Sequence, residues 1–479
     1  MISKKFIRNS IIYSIAGALP MASAIILLPF YLSLPPTLYG SFALYTGFSL
    51  LVQVFVTYSF DTSVYTYFHE YKHDKEKLAK FISSAFTFIL ILGLLTGTVF
   101  VFIGNWVFAK VYSESKIVFY PYGLISVATA ILQAVFKVNS SLLQTQEKAI
   151  SFLWFNLLSF SLIAILTIGG LWIFPNDLIG PIGGRFIAAS MTGLWVLVSV
   201  YRQFGFHFDF PLIKSTFGFN QPVLLYQIIQ WFNNYYDKVL MTFYLPIAQI
   251  GIYDFAYKCM SSIEFVLVGF YNSFFPKVLG AVALQTKKTT TTEINRYYNG
   301  LTAVTILLVG LSIFAFPIIL AWFNKPTYFA AISWMPFIAV TYLIRSMRFY
   351  VSMPYGALRY SRPLPYFYFI IVIVKILMMI VLLPKFGIMG VIFATWIGYV
   401  VEVVLLYIGI RHKFSIQFNV FKLITAPVAM ALLVVIAEPL LGIRHPLLVH
   451  AVYILIGALL LVWAYRNELK VFQLSKVLR

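Results

Sequence analysis

The sequence predicts an all-α polytopic membrane protein with about fourteen transmembrane helices, arranged as two six-helix lobes and a terminal helix pair. Three observations predict this fold class. Hydrophobic residues make up 61% of the 479 residues, charged residues make up only 10%, and the mean hydropathy is +0.89. Apolar stretches long enough to cross a bilayer, about 20 residues at 1.5 Å rise each, recur about fourteen times. Short motifs of the first half also recur in the second half.

Charged residues and Pro, Gly or Asn breaks delimit the apolar stretches. The predicted spans are 6–30, 39–60, 81–103, 117–138, 151–173, 178–201, 217–244, 248–275, 298–323, 328–353, 364–384, 387–410, 421–442 and 447–465. The first span also resembles a cleaved signal peptide, because Lys4, Lys5 and Arg8 precede it and the Ala-Ser-Ala at 22–24 resembles a cleavage site. Its apolar run continues to Phe30, which favours a retained helix.

The net charge of +20 is distributed in a way that predicts topology. Short cytoplasmic loops of membrane proteins retain Lys and Arg. With a cytoplasmic N-terminus, 24 of the 35 Lys and Arg residues fall in cytoplasmic segments. Outer segments hold Lys110, Lys116, Lys325, Lys385 and Arg444, and the spans hold Arg185, Lys238, Lys258, Arg345, Arg348 and Lys375. We therefore expect both termini to be cytoplasmic, and the positive charge requires no nucleic-acid partner.

Several kinds of chemistry are not expected of this chain. A single cysteine, Cys259, excludes an intramolecular disulfide and a cysteine metal cluster. The sequence has no G-x-x-x-x-G-K-[ST] phosphate loop, so it has no ATP site of that kind. No segment between spans exceeds about 20 residues, which is too short for a soluble catalytic domain. We expect no catalytic residue, metal or cofactor, and coupling to protons or to the membrane potential instead.

Two sets of residues recur at nearly the same offset. Leu34-Pro35, Gly40 and Phe42 match Leu245-Pro246, Gly251 and Tyr253 at an offset of 211, and Gly180, Gly183 and Phe186 match Gly387, Gly390 and Phe393 at an offset of 207. The matches indicate a six-helix unit used twice. Because six is even, both copies start on the same side of the membrane and their pseudo-two-fold axis follows the membrane normal. The predicted domains are an N-lobe at 1–201, a cytoplasmic tether at 202–216, a C-lobe at 217–413, and a terminal pair with a tail at 414–479.

Three stretches resemble a known family. They read LPPTLYGSFALYTGFSLLVQVFVTYSFDTSVYTYFHEY, WFNNYYDKVLMTFYLPIAQIGIYDFAYK and LPKFGIMGVIFATWIGYVVEV. Together with the number of spans, they resemble the polysaccharide flippases that move lipid-linked O-antigen units. These flippases belong to the multidrug/oligosaccharidyl-lipid/polysaccharide exporter superfamily. The resemblance covers most of the chain and implies a transporter of the bacterial inner membrane, not an enzyme.

The resemblance also implies a substrate and partners. The substrate would be an oligosaccharide repeat unit on polyprenyl pyrophosphate, moved from the cytoplasmic to the outer leaflet by alternating access through a cationic cavity. The process would be lipopolysaccharide biosynthesis, with membrane lipids, a polysaccharide polymerase and a chain-length regulator as partners. A drug/cation antiporter and a peptidoglycan-precursor flippase of the same superfamily stay open as alternatives. So does a membrane glycan polymerase, although the longest outer segment, near 104–116, is short for one.

The seventh span carries polar side chains on one helix face. The stripe consists of Gln227, Gln230, Asn234 and Lys238, at spacings of three and four residues, with Asn233 and Asp237 beside it. Contact between such a stripe and lipid is costly. The stripe therefore either packs on a neighbouring helix or lines a hydrated cavity that binds the glycan and the pyrophosphate. In the second case Asp237 is a candidate for charge balance or ion coupling.

The eighth span contains an acid and a base one turn apart, Asp254 and Lys258, in the favourable acid-first order. Counted at 1.5 Å per residue from Ala248, Lys258 lies roughly 15 Å into the span, near the midplane. The pair is either purely structural, or Asp254 holds Lys258 until an anionic substrate competes for it. Glu264 is expected to balance another cation, and both acids are candidates for ion coupling.

Arg345 and Arg348 share a face of the tenth span, towards its cytoplasmic end. Guanidinium groups match phosphate oxygens in pairs, so the two arginines suit a pyrophosphate. The alternative is that they reach the lipid headgroups from near the helix end. Lys375 in the eleventh span is too deep for that, and Glu402 in the twelfth is its candidate partner.

Three further charges receive simpler interpretations. Asp61, at the end of the second span, is expected to serve a helix terminus. Lys137 is expected to reach the headgroups from the inner end of the fourth span. Arg185, in the outer half of the sixth span, is expected to cap an outer vestibule.

Overall fold

A computed structural model gives the fold of the chain. It describes residues 25–113, 117–283, 287–358, 360–413, 418–442 and 446–466, together with residues 12, 13, 16, 17, 19 and 23. Every regular element within these residues is helical.

The helices of the first half are α1 (Leu28–Tyr31), α2 (Pro36–Thr57), α3 (Phe60–Tyr71), α4 (Lys75–Val111), α5 (Tyr122–Thr145), α6 (Ala149–Ile173), α7 (Ile179–Phe204), α8 (Phe210–Ser215) and α9 (Phe217–Met241). Those that follow are α10 (Ile247–Ala283), α11 (Lys287–Trp322), α12 (Ala330–Ala357), α13 (Leu364–Phe386), α14 (Ile388–Ile410), α15 (Ala426–Ala437) and α16 (Pro446–Ala464). A 3-10 turn at Pro326–Tyr328 precedes α12, and π-helical turns at Phe421–Thr425 and Glu438–Gly442 flank α15.

Each predicted span from the second to the fourteenth coincides with a helical segment of the described chain. The first, 6–30, lies largely outside the described residues. The bounds differ for α11, which begins at Lys287 where the sequence predicted residue 298, and for α4, which begins at Lys75 where the sequence predicted residue 81. Lys and Glu are good helix formers, so the helix continues through charges at which an apolar run ends. Asp74 starts it by accepting a hydrogen bond of 3.0 Å from the backbone N–H of Lys77.

Ten helical segments in the described part of the chain are long and apolar enough to cross a membrane. Helices α9 and α10 carry amide and charged side chains within their apolar runs. These two helices carry much of the polar site that the sequence predicts.

The chain divides into two compact units, residues 1–251 and 252–479. Within the first unit, α9 packs on α2 and α3, so it groups with the helices that precede it. The division therefore falls after the predicted tether at 202–216, which contains the end of α7 and the six-residue helix α8. The domain boundaries that the repeat predicts stay a prediction.

Helix lengths extend the repeat beyond its short motifs. Helices α2 and α3 together occupy the 36 residues Pro36–Tyr71, and their counterpart α10 has 37 residues. Helix α4 has 37 residues and its counterpart α11 has 36. Helices α12, α13 and α14 are, in the same order, the counterparts of α5, α6 and α7. The copies differ at Tyr58 and Ser59, whose φ angles of 46° and 62° separate α2 from α3, whereas α10 is unbroken.

Glycines of the second motif permit close helix contacts, although not at every matched position. A Cβ atom at Gly180 would collide with the carbonyl oxygen of Gly170, and one at Gly390 with that of Leu382. Small residues allow backbones of adjacent membrane helices to approach in this way. Gly183, the counterpart of Gly390, has open space around it.

Candidate functional site

The predicted polar stripe on α9 lies in the first unit. Gln227 donates hydrogen bonds to both carboxylate oxygens of Asp61 on α3, at 3.3 and 3.4 Å. Gln230 donates to the hydroxyl of Tyr226 at 2.9 Å, and Asn234 donates to the carbonyl oxygen of Gln230 at 2.8 Å. Of these three amides, Gln227 is thus the one whose hydrogen bonds tie α9 to a neighbouring helix.

The C-terminal end of α9 carries a buried charge pair. Asp237 and Lys238 are 4% and 5% exposed, and Lys238 Nζ lies 3.8 Å from Asp237 Oδ1. The ammonium group also lies 5.6 Å from the ring centroid of Tyr235. On the same helix, Trp231 donates its indole N–H to the carbonyl oxygen of Gly47 on α2 at 2.8 Å. This end of the stripe is therefore buried inside the unit, and whether the stripe binds substrate stays a prediction.

Asp61 is the centre of a network that the sequence did not predict. Its carboxylate lies 2.9 Å from Lys137 Nζ on α5, with the two side chains 13% and 38% exposed. Together with Gln227, this carboxylate ties α3, α5 and α9 to one another. Lys137, which was expected to reach the headgroups, instead has an acidic partner.

In the second unit, Asp254 and Lys258 form the predicted intrahelical pair on α10. Lys258 Nζ lies 2.7 Å from Asp254 Oδ2, and the side chains are 22% and 3% exposed. The acid-first spacing thus predicted the contact correctly. Whether a substrate anion competes for Lys258 stays a prediction.

Arg345 on α12 is held by the carboxylate of Glu264 on α10. Its guanidinium Nη1 donates a hydrogen bond of 2.6 Å to Glu264 Oε2, and the side chains are 11% and 14% exposed. The guanidinium carbon also lies 5.3 Å from the ring centroid of Tyr399 on α14. Glu264 therefore balances another cation, as predicted, and that cation is Arg345.

Arg348, one turn further along α12, faces Glu402 on α14. Its Nη1 lies 3.5 Å from Glu402 Oε1, beyond the 2.7–2.9 Å of a charge-assisted N–H···O bond. The Glu402 side chain is fully buried, and neither of its oxygens has a hydrogen-bond partner among the described residues. The arginine side chain is 24% exposed. Arg345 is therefore hydrogen-bonded to its carboxylate at short distance, whereas Arg348 lies farther from its own.

Lys375 on α13 is buried and reaches the same region. It packs over Gly398 on α14, where an added Cβ would lie 3.4 Å from the Cβ of Lys375. Its charge acts on Glu402, which lies one turn further along α14. The candidate partner predicted for Lys375 is therefore within its electrostatic range, but that carboxylate also faces Arg348.

Arg345, Arg348, Lys375, Glu264 and Glu402 form one charge cluster in the second unit, which we call the arginine cluster. It contains three cations and two carboxylates. Both arginines face carboxylates inside the unit, so ion pairs and not lipid headgroups explain their positions. The interior that the sequence predicted as cationic is thus mostly charge-compensated here.

The remaining predicted cations lie elsewhere. The guanidinium carbon of Arg185 lies 5.9 Å from the ring centroid of Phe42 in the first unit, and its charge acts on the Tyr31 hydroxyl. Two further arginines follow α12: Arg362 is exposed, and Arg359 lies outside the described residues.

Sequence reasoning missed a buried acid in the terminal helix pair. Glu438 Oε1 lies 3.2 Å from His450 Nε2, and Glu438 Oε2 accepts a hydrogen bond of 3.0 Å from the Tyr453 hydroxyl. All three side chains are buried. A usable signal existed, because Glu438 and His450 are isolated ionisable residues within apolar runs.

The sequence also contains an H-E-x-x-H motif at 69–73, which the expectation of no metal site did not take into account. That motif binds zinc when both histidines lie on one helix face. Helix α3 ends at Tyr71, so His73 is not on the helix that carries His69. In the described chain, no group of three or more His, Cys, Asp or Glu residues is arranged to hold a metal ion.

The sequence profile of a family described as "Polysaccharide biosynthesis protein" matches residues 6–278, more than half of the chain. The chain belongs to this family. It is 24% identical over 263 residues to protein 1 of the Lsg locus of Haemophilus influenzae. That match covers 52% of this chain and 60% of the relative, so the chain spans less than two thirds of that relative's length.

Two solved structures share the fold of this family member. Lipid II flippase MurJ, in an inward closed conformation, superposes with a TM-score of 0.73 at 16% identity, over 96% of this chain and 99% of the other. An inward-facing multidrug resistance MATE family transporter superposes with a TM-score of 0.62 at 13% identity, over 86% and 98%. The protein is therefore a multi-pass membrane protein of the polysaccharide biosynthesis family, and it shares the fold of these two transporters.

Proposed function

We propose that the protein moves oligosaccharide repeat units linked to polyprenyl pyrophosphate from the cytoplasmic to the outer leaflet of the bacterial inner membrane. The observation that carries this proposal is the pair Arg345 and Arg348, placed three positions apart on α12 inside the second unit. Membership of a polysaccharide biosynthesis family supports a glycan as the transported group.

The chemistry of the arginine cluster suits the pyrophosphate of such a lipid. Guanidinium groups bind phosphate oxygens in pairs, and a charge kept inside a membrane helix needs a function or a partner. Tyrosines surround this position: Tyr257, Tyr342 and Tyr399 are all close enough to act electrostatically on Arg345. Aromatic faces with polar hydroxyls suit sugar rings, and the prenyl chain stays in lipid.

In the first unit, Gln227, Gln230, Asn234 and Lys238 supply amide and ammonium donors for the glycan or the pyrophosphate. We assign Asp237, Asp254 and Glu264 to charge balance or ion coupling in the same cycle. The proposed surroundings are membrane lipids, a polysaccharide polymerase and a chain-length regulator, in O-antigen or related lipopolysaccharide synthesis.

The drive for this transport is the membrane potential combined with protons. Moving one negative charge outward across an inside-negative membrane yields about 2.3 kcal/mol per 100 mV. A pyrophosphate diester carries about two such charges, so its export is favourable if the empty site does not carry equal charge back. Protonation and deprotonation of buried carboxylates during the cycle add a movement of protons to that of the substrate.

Two experiments test the proposal. In cells that lack the protein, a lipid-linked glycan should accumulate in the cytoplasmic leaflet and return to normal when the gene is supplied again. In proteoliposomes, the purified protein should transfer that glycan between leaflets without covalent change, faster under a potential or a pH gradient. Unchanged leaflet distribution in both experiments would overturn the proposal. Chain growth in the vesicles would identify a glycan polymerase instead.

A second candidate is a flippase for a peptidoglycan precursor, which also carries a polyprenyl pyrophosphate. The fold likeness to lipid II flippase MurJ favours it, although 16% identity shows the fold alone. Cells depleted of the protein distinguish the two functions. Lysis with accumulated lipid II indicates the precursor, whereas loss of surface polysaccharide from intact cells indicates the repeat unit. Export of cationic dyes would indicate a drug/cation antiporter.

A further inference from the structure

The two arginines of the cluster differ in how firmly each is held. Arg345 donates a 2.6 Å hydrogen bond to Glu264 and is 11% exposed. Arg348 lies 3.5 Å from Glu402 and is 24% exposed. A substrate anion that bound Arg345 would first have to break a short, buried, charge-assisted hydrogen bond. Arg348 has no such bond with its carboxylate, so it is the arginine that a phosphate can take at lower cost.

Glu402 is unusual because it is fully buried and lacks hydrogen bonds. Among the described residues, no donor bonds either of its oxygens. A buried polar atom without a hydrogen bond costs about 1–3 kcal/mol, and more if it is charged. Such groups are rare in native structures, so the position of Glu402 requires an explanation. The surrounding cations, not hydrogen bonds, are therefore what compensates a charge on this carboxylate.

The charges that act on Glu402 come from every helix near it. They are Arg345 and Arg348 on α12, Lys375 on α13, Glu264 on α10 and, on its own helix α14, Tyr399. With tyrosine neutral, three positive and two negative charges leave the arginine cluster with a net charge of one positive. A bound pyrophosphate with two negative charges would change this to one negative. One proton then restores neutrality.

We propose that Glu402 is the anion that pairs with Arg348 in the empty site. The pyrophosphate of the substrate replaces Glu402 beside Arg348, and Glu402 then takes up a proton. This exchange rests on the proposed function. The phosphate oxygens bind the Arg348 guanidinium, while Arg345 stays bound to Glu264 and positions α12 against α10. The proton comes from the water around the substrate headgroup and bonds to a Glu402 oxygen. When the pyrophosphate leaves, the proton returns to water and Glu402 pairs with Arg348 again.

The physical reason for the proton is the cost of a buried charge without a counter-charge. An ionised carboxylate in a dry interior is destabilised by several kcal/mol unless a cation or hydrogen bonds compensate it, and protonation removes that cost. Lys375 remains near Glu402 after the exchange. Two added negative charges nevertheless outweigh it, because they also occupy Arg348.

The test measures proton uptake on binding, using full-length protein in detergent and farnesyl pyrophosphate as the probe. Farnesol, which lacks the pyrophosphate, is the control ligand. Calorimetric titrations at mildly alkaline pH, where the terminal phosphate of the probe is fully ionised, in two buffers with different ionisation enthalpies, give both the affinity and the number of protons taken up. We expect wild type to take up a proton with farnesyl pyrophosphate and none with farnesol.

Glu402→Gln imitates the protonated carboxyl. It should bind farnesyl pyrophosphate without proton uptake and about tenfold more tightly, because Arg348 no longer has a competing anion. Glu438→Gln is the matched comparison, since it neutralises a buried carboxylate outside the arginine cluster. That variant should keep the proton uptake. Glu402→Asp retains an ionisable group and should keep it too, which provides a second measurement if Glu402→Gln does not fold.

The possible outcomes separate the exchange from the proposed function. Wild type that binds the pyrophosphate without proton uptake overturns the exchange, and so does Glu402→Gln that matches wild type in affinity and uptake. Neither result affects the transport of lipid-linked glycans, which the vesicle assay measures. Wild type that binds farnesyl pyrophosphate no better than farnesol overturns both the exchange and the pyrophosphate site of the proposed function.

Discussion

Gly40 and Gly251 make a reciprocal contact between the first turns of α2 and α10. A Cβ atom on Gly40 would collide with the carbonyl oxygen of Ile247, and one on Gly251 would collide with that of Pro36. The two glycines are matching positions of the internal repeat, at an offset of 211. One motif therefore indicates the repeat and also forms a contact between its two copies.

We expect Gly251→Ala to destabilise the protein, because the added methyl group meets backbone that cannot move aside. Overpacking of this kind costs about 1–3 kcal/mol. A lower thermal midpoint of the purified protein would show the effect. Gly269→Ala is the control on the same helix, since Gly269 has open space around it. Alanine is the better helix former, so that control should be neutral or slightly stabilising. Equal midpoints for both variants would contradict the close contact.

A double-mutant cycle should detect the bond between Asp61 and Lys137. We expect Asp61→Asn and Lys137→Gln to be less destabilising together than the sum of the single changes. The coupling should be about 1 kcal/mol or less, because the lysine is 38% exposed. Glu76 and Lys80 on α4, exposed by 79% and 41%, form a comparison pair expected to show less coupling. Strict additivity at Asp61 and Lys137 would mean that the pair contributes nothing to stability.

Replacement of Arg345 alone should lower the amount of protein in the membrane. Arg345→Met leaves Glu264 buried without its cation, at a cost of about 3–5 kcal/mol. The double variant Arg345→Met/Glu264→Leu should restore the amount of protein, because it removes both charges. Quantitative detection in isolated membranes measures this. If the double variant is as depleted as the single one, the ion pair is not the reason for the loss.

The buried acid of the terminal pair should also contribute to stability. His450→Leu removes one of the two partners of Glu438, and the loss should be about 1–3 kcal/mol. The thermal midpoint of the purified variant measures it. Leu455→Ala, at a position 58% exposed on the same helix, is the control and should cost less. A midpoint unchanged by His450→Leu would show that Tyr453 alone satisfies the carboxylate.

Reporter fusions test the topology that the Lys and Arg distribution predicts. We expect Thr290 and the C-terminal Arg479 to be cytoplasmic, and Asn105 and Asn324 to face outward. Reporters active only on one side of the membrane distinguish the two locations. An outward C-terminus would mean that the chain crosses the membrane an odd number of times.

The fold was largely predictable because the bilayer restricts what an apolar sequence can do. A run such as 364–384 must be a helix to satisfy its backbone in lipid, and the structure has α13 at Leu364–Phe386. The error at α4 has the opposite cause. Outside the lipid, charged residues such as Lys75 and Lys77 continue a helix, and hydropathy alone does not detect this.

The site was predictable only within single helices. Asp254 and Lys258 were paired correctly because helix geometry alone brings residues four apart together. Asp61 and Lys137 were not paired, since their contact depends on how α3 and α5 are aligned along their lengths. Periodicity shows which face of a helix is polar, but not which residue of a neighbouring helix lies opposite. For the same reason, the sequence indicated Lys375 as the partner of Glu402, and its charge does act on that carboxylate, but did not show that Arg348 faces it too.

The length of α4 has a consequence for the aqueous surfaces of the protein. Its 37 residues extend over about 55 Å at 1.5 Å each, against about 30 Å for the hydrocarbon layer. Several turns must therefore project into water, and the first of them carries Lys75, Glu76 and Lys77 behind the Asp74 cap. A soluble protein that approaches this surface meets an ordered, charged helical projection. Part of that surface is therefore an ordered helix, although the connecting loops are short.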